Sequence, residues 1–470
     1  MKHVIVLFIF LNIAGFVFGQ ESNPIIYSLQ DCIEIALQNN LDLKSAALRT
    51  ETENVNFKQS KNALLPSLNG SYNIGKTSGR SIDPFTNSYS NDRITFSTAG
   101  LQANAVIFDG FRLINLWKQQ KLNLLASEME KEEARQNLIL EVTLTYLQVM
   151  GNRDLVNLAE NSLENTKGQL ERLKTLFEQE IGNPSEYRDF QGLKANDEAG
   201  IIEAKSNYDN SKLYLMQLMN TEMEFDLAPT DLAVEFIAYE NSFEEVYASA
   251  IQNLAIVKAN EFRLNAAEKG IAVAKSQYVP QVSFFANLGT NYSSVAQVFT
   301  EGQTSIIETG DFISFEGQSY SVLRENTDFV SEDISYENQF KNNFNSAVGI
   351  AVSIPIFNGF RAKNNVAIEK IKKDEASIEL ARTKRELRTI IEQSYNDMLA
   401  AYNLFRILQD QVTAYAESLR INEIRFNNGL GTSVEYIVSK NNLDNAKINL
   451  NKVTYEYLLR QKILDYYKDL

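Results

Sequence analysis

One histidine, His3, and one cysteine, Cys32, are all the imidazole and thiol chemistry the 470 residues offer. Even His3 is not kept in the expected mature chain. Lys2 and His3 precede the apolar stretch Val4 to Phe18, and Val17-Phe18-Gly19 stands before a cut, so residues 1–19 read as a secretory signal peptide. A retained membrane anchor is the other reading, disfavoured because the stretch is short for a span. Without histidine there is no Ser-His-Asp or Cys-His site and no histidine-ligated metal. Carboxylates are plentiful, 60 Asp and Glu against 45 Lys and Arg, so a glycosidase-type carboxylate pair stays formally open. The acidic balance disfavours nucleic acid as a partner. Cys32 can form no intramolecular disulfide. Set among Leu29, Ile33, Ala36 and Leu37, it reads as a buried small hydrophobe and not a redox site. No catalytic residue, cofactor site or metal site is expected, and no enzyme.

The elements that carry the remaining polar groups occur twice. A shift of 214 residues lays Leu37-Gln38-Asn39 on Ile251-Gln252-Asn253, Lys44 on Lys258, Arg49 on Arg263, Pro66 on Pro280 and Gly75 on Gly289. Farther on the shift becomes 249. Ile107-Phe108-Asp109-Gly110-Phe111-Arg112 then falls on Ile356-Phe357-Asn358-Gly359-Phe360-Arg361, Tyr146 on Tyr395, Phe177 on Phe426, and Glu186-Tyr187 on Glu435-Tyr436. The difference is an insertion between Tyr292 and Asn343. A tandem duplication follows: residues 20–240 and 241–470.

Each half runs through a helical stretch ending at a proline, two alternating stretches, then a very long helix, a tight turn and another long helix. Val282, Phe284, Ala286, Leu288 and Tyr292 share one parity against Gln281, Ser283, Asn287 and Asn291. Period two means strands, expected at about 67–75, 94–107, 281–292 and 343–355. The second is irregular, and a bulge near Thr98 to Gly100 is expected. Apolar-out, polar-in strands of this length suit a membrane barrel with a wet interior, and suit an ordinary half-buried sheet equally well. Four strands cannot close a barrel. If they sit in a membrane the chain must oligomerise, and arithmetic leaves two, three or four copies open.

Helical hairpins are expected over 111–220 and 361–468, with a linker at 221–240. Leu387, Ile391, Tyr395, Met398 and Tyr402 recur at gaps of three or four, a coiled-coil seam. Roughly 105 Å for Phe111 to Ile181 at 1.5 Å per residue implies a bundle or tube, not one globular core. At the hairpin turns Thr432 with Glu435 spells a capping box, and Asn183 with Glu186 nearly does.

These residues resemble the outer-membrane efflux protein family, the TolC-like outer-membrane factors, over nearly all of the mature chain. The resemblance rests on Ser28-Leu29-Gln30-Asp31 with Ala36 to Asn40, Leu64-Leu65-Pro66, the two Phe-Asp/Asn-Gly-Phe-Arg turns, and Arg425 to Glu435 at a hairpin tip. It implies a mainly α fold with transmembrane β: a homotrimer closing a 12-stranded β-barrel in outer-membrane lipid, continued by a long periplasmic α-helical barrel. The implied role is the exit channel of a tripartite efflux pump or type I secretion system, with a periplasmic adaptor protein and an inner-membrane transporter as partners. A non-channel coiled-coil scaffold or adhesin is the alternative.

The resemblance also assigns sites. Ile181, Gly182, Asn183, Pro184 and Ser185, and Gly429, Leu430, Gly431, Thr432 and Ser433, become adaptor-contact tips. Glu186, Asp189 and Glu435 become acidic rings at the periplasmic entrance, and Asp109, Gly110, Asn358 and Gly359 the barrel-to-helix turns. Two departures stand out. Glu180 occupies the place of Gly429, which questions the first turn's geometry, and Gly431 stands where some members place an arginine of a closing network. The insertion is expected to be a surface loop at the strand ends remote from the helices.

Overall fold

The computed structural model describes residues 25–82, 87–90, 93–222, 225–228 and 239–469. The expected signal peptide and most of the expected linker lie outside the described residues. In chain order the elements are β1 (Ile25–Tyr27), α1 (Leu29–Asn39), α2 (Leu41–Asn62), β2 (Ser67–Thr77), β3 (Ser81–Ile82), β4 (Tyr89–Ser90), β5 (Ile94–Phe108), α3 (Arg112–Glu178) and α4 (Pro184–Met219). They continue with β6 (Phe225–Leu227), α5 (Phe243–Asn253), α6 (Ala255–Lys275), β7 (Gln281–Ser293), β8 (Gln297–Phe315), β9 (Gln318–Asp333), α7 (Tyr336–Asn342), β10 (Asn345–Ser353), α8 (Arg361–Asn427) and α9 (Ser433–Asp469). The repeat is visible in the lengths. α3 and α8 have 67 residues each, and α1 and α5 have 11 each. No described helix is long and apolar enough to cross a membrane.

Two compact units cut across the repeats. The first holds residues 1–53, 123–264 and 375–470. α1 and α5 begin alike: Ser28 and Ser242 accept from the backbone N–H three residues on, while Asp31 and Glu245 reach back to the cap. Each box satisfies two donors that the first turn would leave orphaned. Cys32 and Ala36 of α1 then pack with Val142, Tyr146, Leu215, Met219 and Phe225. On the other side Val246 and Ala250 of α5 pack with Ile391, Met398, Tyr457 and Leu464. The three-four spacing along α8 thus supplies the seam that buries. Each of these large side chains contributes about 1.5–3 kcal/mol on leaving water. Burial pushes the Cys32 thiol up to about 12, so the group is inert.

The second unit holds residues 54–122 and 265–374. Its main sheet is antiparallel, in the order β10-β7-β5-β2. Register sorts the side chains by face. Leu68, Tyr72 and Ile74 lie level with Leu101, Ala103, Phe284, Ala286, Leu288, Val348, Ile350 and Val352 on one face. Asn69, Gln102, Asn287 and Ala347 form a row on the other. At one end the four strands meet α2, α3, α6 and α8, and at the opposite end the chain links β2 to β5 and β7 to β10, the second link running through β8, β9 and α7.

Two expectations are corrected here. β5 pairs with β2 without a break from Ile94 to Asn104, so no bulge falls at Thr98 to Gly100. The irregularity lies between Val106 and Phe108, against β7. The insertion is exposed and leaves the strand ends remote from α6 and α8, as expected, but it is no irregular loop: β8 and β9 form a long antiparallel ribbon. Register slips at Glu301/Thr304 and Glu308/Phe312 break the period-two pattern that would have revealed it. Its return is anchored through α7, where buried Gln339 accepts from Ser293 N and donates to Ser293 O, both at 2.9 Å.

Candidate functional site at the hairpin tips

The first unit brings the two helical hairpins side by side, and their ends are built on one plan. α8 closes with Leu430 N–H on Arg425 O (2.8 Å) and Gly429 N–H on Phe426 O (3.1 Å). α3 closes with Ile181 N–H on Leu176 O (3.1 Å) and Glu180 N–H on Phe177 O (3.0 Å). Both are Schellman closures, which need a left-handed residue. Gly429 has φ +73°, and Glu180 has φ +59°. The first turn therefore keeps the geometry that its sequence calls into question, at the cost of holding a glutamate in the left-handed region. Ile181 and Leu430 follow at 75% and 74% exposed, an apolar residue at the end of each hairpin.

The second halves of the tips differ. Thr432 and Glu435 form the full capping box: Thr432 N–H donates to Glu435 Oε2 at 3.1 Å, and Glu435 N–H to Thr432 Oγ1 at 3.2 Å. Arg425 Nη2 stands 3.8 Å from Glu435 Oε1, so the arginine of this tip comes from the preceding helix and not from position 431. In the first tip only the asparagine half of the cap forms, with Ser185 N–H on Asn183 Oδ1 at 3.0 Å and Pro184 in the first turn. Gly182 and Gly431 are hemmed by Leu176 and Arg425, whose atoms a Cβ would meet at 3.1 and 3.3 Å.

Asp189 joins the tips. Its Oδ2 accepts from Ser433 Oγ at 3.0 Å, a tie between α4 and the start of α9. Phe190 beside it is fully buried between Phe426 and Tyr436, with ring centroids at 5.6 and 5.4 Å. In that environment burial drives the Tyr436 hydroxyl pKa upward, with Glu423 and Asp444 adding to it. Farther along the hairpins, Lys440 is buried with a side chain 3% exposed. Its Nζ reaches Asp197 Oδ2 at 3.2 Å, Asp444 Oδ2 at 2.8 Å and Ser162 Oγ at 2.6 Å, while Thr166 Oγ1 donates to Asp197 at 2.5 Å. One cation and two carboxylates so clamp α3, α4 and α9 together. The sequence reading missed this cluster. Its signal was a lysine on the buried face of α9, spaced with Tyr436, Leu443 and Ala446.

In the second unit the strand-to-helix turns are built in duplicate. Gly110 and Phe111 have φ +67° and +63°, and Gly359 and Phe360 +62° and +60°. Arg112 N–H closes one turn on Asp109 O, and Arg361 N–H the other on Asn358 O, both at 3.3 Å. Gly110 is doubly constrained, because a Cβ there would lie 2.9 Å from Val279 Cβ. Asp109 also accepts Leu113 N–H through its carboxylate, capping α3.

Comparison with known proteins agrees with this architecture. The family described as outer membrane efflux protein matches residues 32–221 and 246–465. The outer membrane efflux protein BepC of Brucella suis biovar 1 is 22% identical over 428 residues, 90% of this chain and 81% of that protein. Outer membrane protein TolC of Escherichia coli K12 is 22% identical over 470 residues, 98% and 85% of the two. Among solved structures CusC aligns with a TM-score of 0.74 at 14% identity, covering 95% of this chain and 92% of the other. VceC of Vibrio cholerae aligns at 0.72 and 16%, covering 94% and 96%. These structures share the fold of repeated strands and long helical hairpins derived above. With the family matched across both repeats, the chain belongs to the outer membrane efflux protein family, a family of outer-membrane transport channels and not of enzymes.

Proposed function

We propose that three copies close one 12-stranded barrel in the outer membrane, each giving β2, β5, β7 and β10, and that the helical hairpins form a periplasmic tube beneath it. The assembly is the exit channel of a tripartite efflux pump or a type I secretion system, taking substrate from an inner-membrane transporter and a periplasmic adaptor. One observation carries this reading. Among the described residues the four-stranded sheet has both edges, β2 and β10, unpaired, and its apolar face is exposed. Unpaired edges cannot stand in lipid, so neighbouring copies must cover them, while the apolar face suits the acyl chains and the Asn69-Gln102-Asn287 row a wet interior.

The repeats 20–240 and 241–470 then act as two quasi-equivalent sixths of the ring, residues 1–19 as the export signal. The tips at 181–185 and 429–433 meet the adaptor, and Asp109, Gly110, Asn358 and Gly359 turn the chain from barrel to tube. Glu186, Asp189 and Glu435 become rings of three carboxylates near the entrance, attracting cations where the pore excludes bulk water. The test is detergent-extracted full-length protein, which should run as a trimer and give ion-conducting steps in planar bilayers. A stable soluble monomer without detergent overturns the reading. In folded trimers, Glu435→Gln with Asp189→Asn should lose cation preference. Unchanged preference would leave these acids as caps and ties only.

A further inference from the structure

The contacts between the two repeats inside one chain provide a template for the contacts between chains. In a ring of copies, the second repeat of one copy faces the first repeat of the next, as the first faces the second within a copy. Every contact across the internal seam can be carried to the outer seam by the repeat shifts. The lengths of α3, α4, α8 and α9 support the shift of 249, and α1 with α5 that of 214.

Across the internal seam α6 meets α3 through a bidentate pair. Arg263 Nε and Nη2 stand 2.9 and 3.0 Å from Glu130 Oε1 and Oε2, with Nη1 3.4 Å from Asn123. The shifts carry Arg263 onto Arg49 and Glu130 onto Glu379, so both charges recur. Arg49 is exposed on α2 and makes none of the ion pairs described for the chain. Among the described residues Glu379 pairs with Arg382 on its own helix, an exposed contact three residues away, and Arg382 also has Glu386 at 3.9 Å.

Near the tips the transfer gives the opposite result. Lys440, Asp197, Asp444 and Ser162 map onto Gln191, Ala446, Ala195 and Gln411, and Phe190 maps onto Ser439. The buried ionic clamp and the inserted ring have no counterparts.

We propose that copies of this chain are registered against each other by Arg49 of one copy on Glu379 of the next, and that the seam between copies lacks the clamp that joins the two hairpins within a copy, so the tips part between copies. A bidentate arginine–carboxylate pair has the geometric demand to fix register. The paired hairpins of each copy move as one body, since separating them would expose Lys440, Asp197 and Phe190. The inference rests on the ring proposed above, and the experiment separates the two.

The full-length protein is purified from outer membranes in detergent. Arg49→Glu and Glu379→Arg should each lower the temperature at which trimers dissociate on a semi-native gel, and the double variant should recover most of the loss. Gln191→Lys with Ala446→Asp places the missing ion pair in the outer seam and should cut single-channel conductance several-fold while trimers persist. If the wild type forms no trimer, the ring itself fails. If trimers form but the charge swap gives no recovery, the Arg49–Glu379 register is wrong. If Gln191→Lys with Ala446→Asp leaves conductance unchanged, the tips do not part between copies.

Discussion

Lys440→Met removes the cation from the clamp while keeping its length and apolar stem. Asp197, 8% exposed, would then hold its charge with Thr166 as the remaining donor of the cluster, and Asp444, 27% exposed, with Ser162. Breaking a buried pair from one side costs about 3–5 kcal/mol, because the partner's desolvation is no longer offset. Part of that should be relieved by water reaching Asp444, so the lower figure is the better expectation. At about 1.4 kcal/mol per decade, 3 kcal/mol corresponds to a local opening roughly a hundred-fold more frequent. Hydrogen exchange read by mass spectrometry on detergent trimers is the assay. Peptides from α4 around Asp197 and from α9 around Lys440 should lose protection by that factor, and β7 should keep its protection as the internal control. The triple variant Lys440→Met, Asp197→Asn, Asp444→Asn should recover most of the loss, since a neutral cluster leaves no buried charge unpaired. A change below about five-fold for Lys440→Met, or a triple variant as unprotected as the single, would refute the clamp as a buried charge cluster.

Other consequences are simpler to read. Glu180→Gly should raise resistance of the first hairpin to thermal unfolding by about 0–1.5 kcal/mol, the left-handed strain of about 1–2 less the glycine entropy cost of about 0.5–1. Gly429→Ala should lower it in the second hairpin by about 1 kcal/mol, and equal effects of the same sign would contradict the paired closures. The Glu133 carboxyl is held above the usual glutamate range, first by burial and then by neighbouring Glu130, with Asn137 opposing. The folded chain therefore keeps this proton where the unfolded chain has lost it, and stability falls as pH rises from the ordinary glutamate range through the raised value. Glu133→Gln should accordingly raise the melting temperature at pH 7.5 and change it little at pH 4. The same gain at both pH values would show the carboxyl is unstrained.

The sequence by itself determined everything that repeats or has a period. The duplication, the equal long helices, the four alternating strands, the capping box at Thr432 and the buried Cys32 are all written in local spacing, because helix and strand periodicities act over a few residues. Where a local rule was broken, the reading failed. The two bulges of the β8–β9 ribbon scrambled its alternation, and the offset in β5 shows only against β7. Glu180 breaks the rule at the first tip, and the Schellman hydrogen bonds override its preference. Only the tertiary structure decided which helix faces meet. Lys440 finding Asp197, Phe190 entering between Phe426 and Tyr436, and Asp189 reaching Ser433 join residues more than 230 positions apart, and no local propensity encodes that pairing. The packing of whole hairpins sets it, and it turns acids that read singly as caps or rings into the ties of a seam.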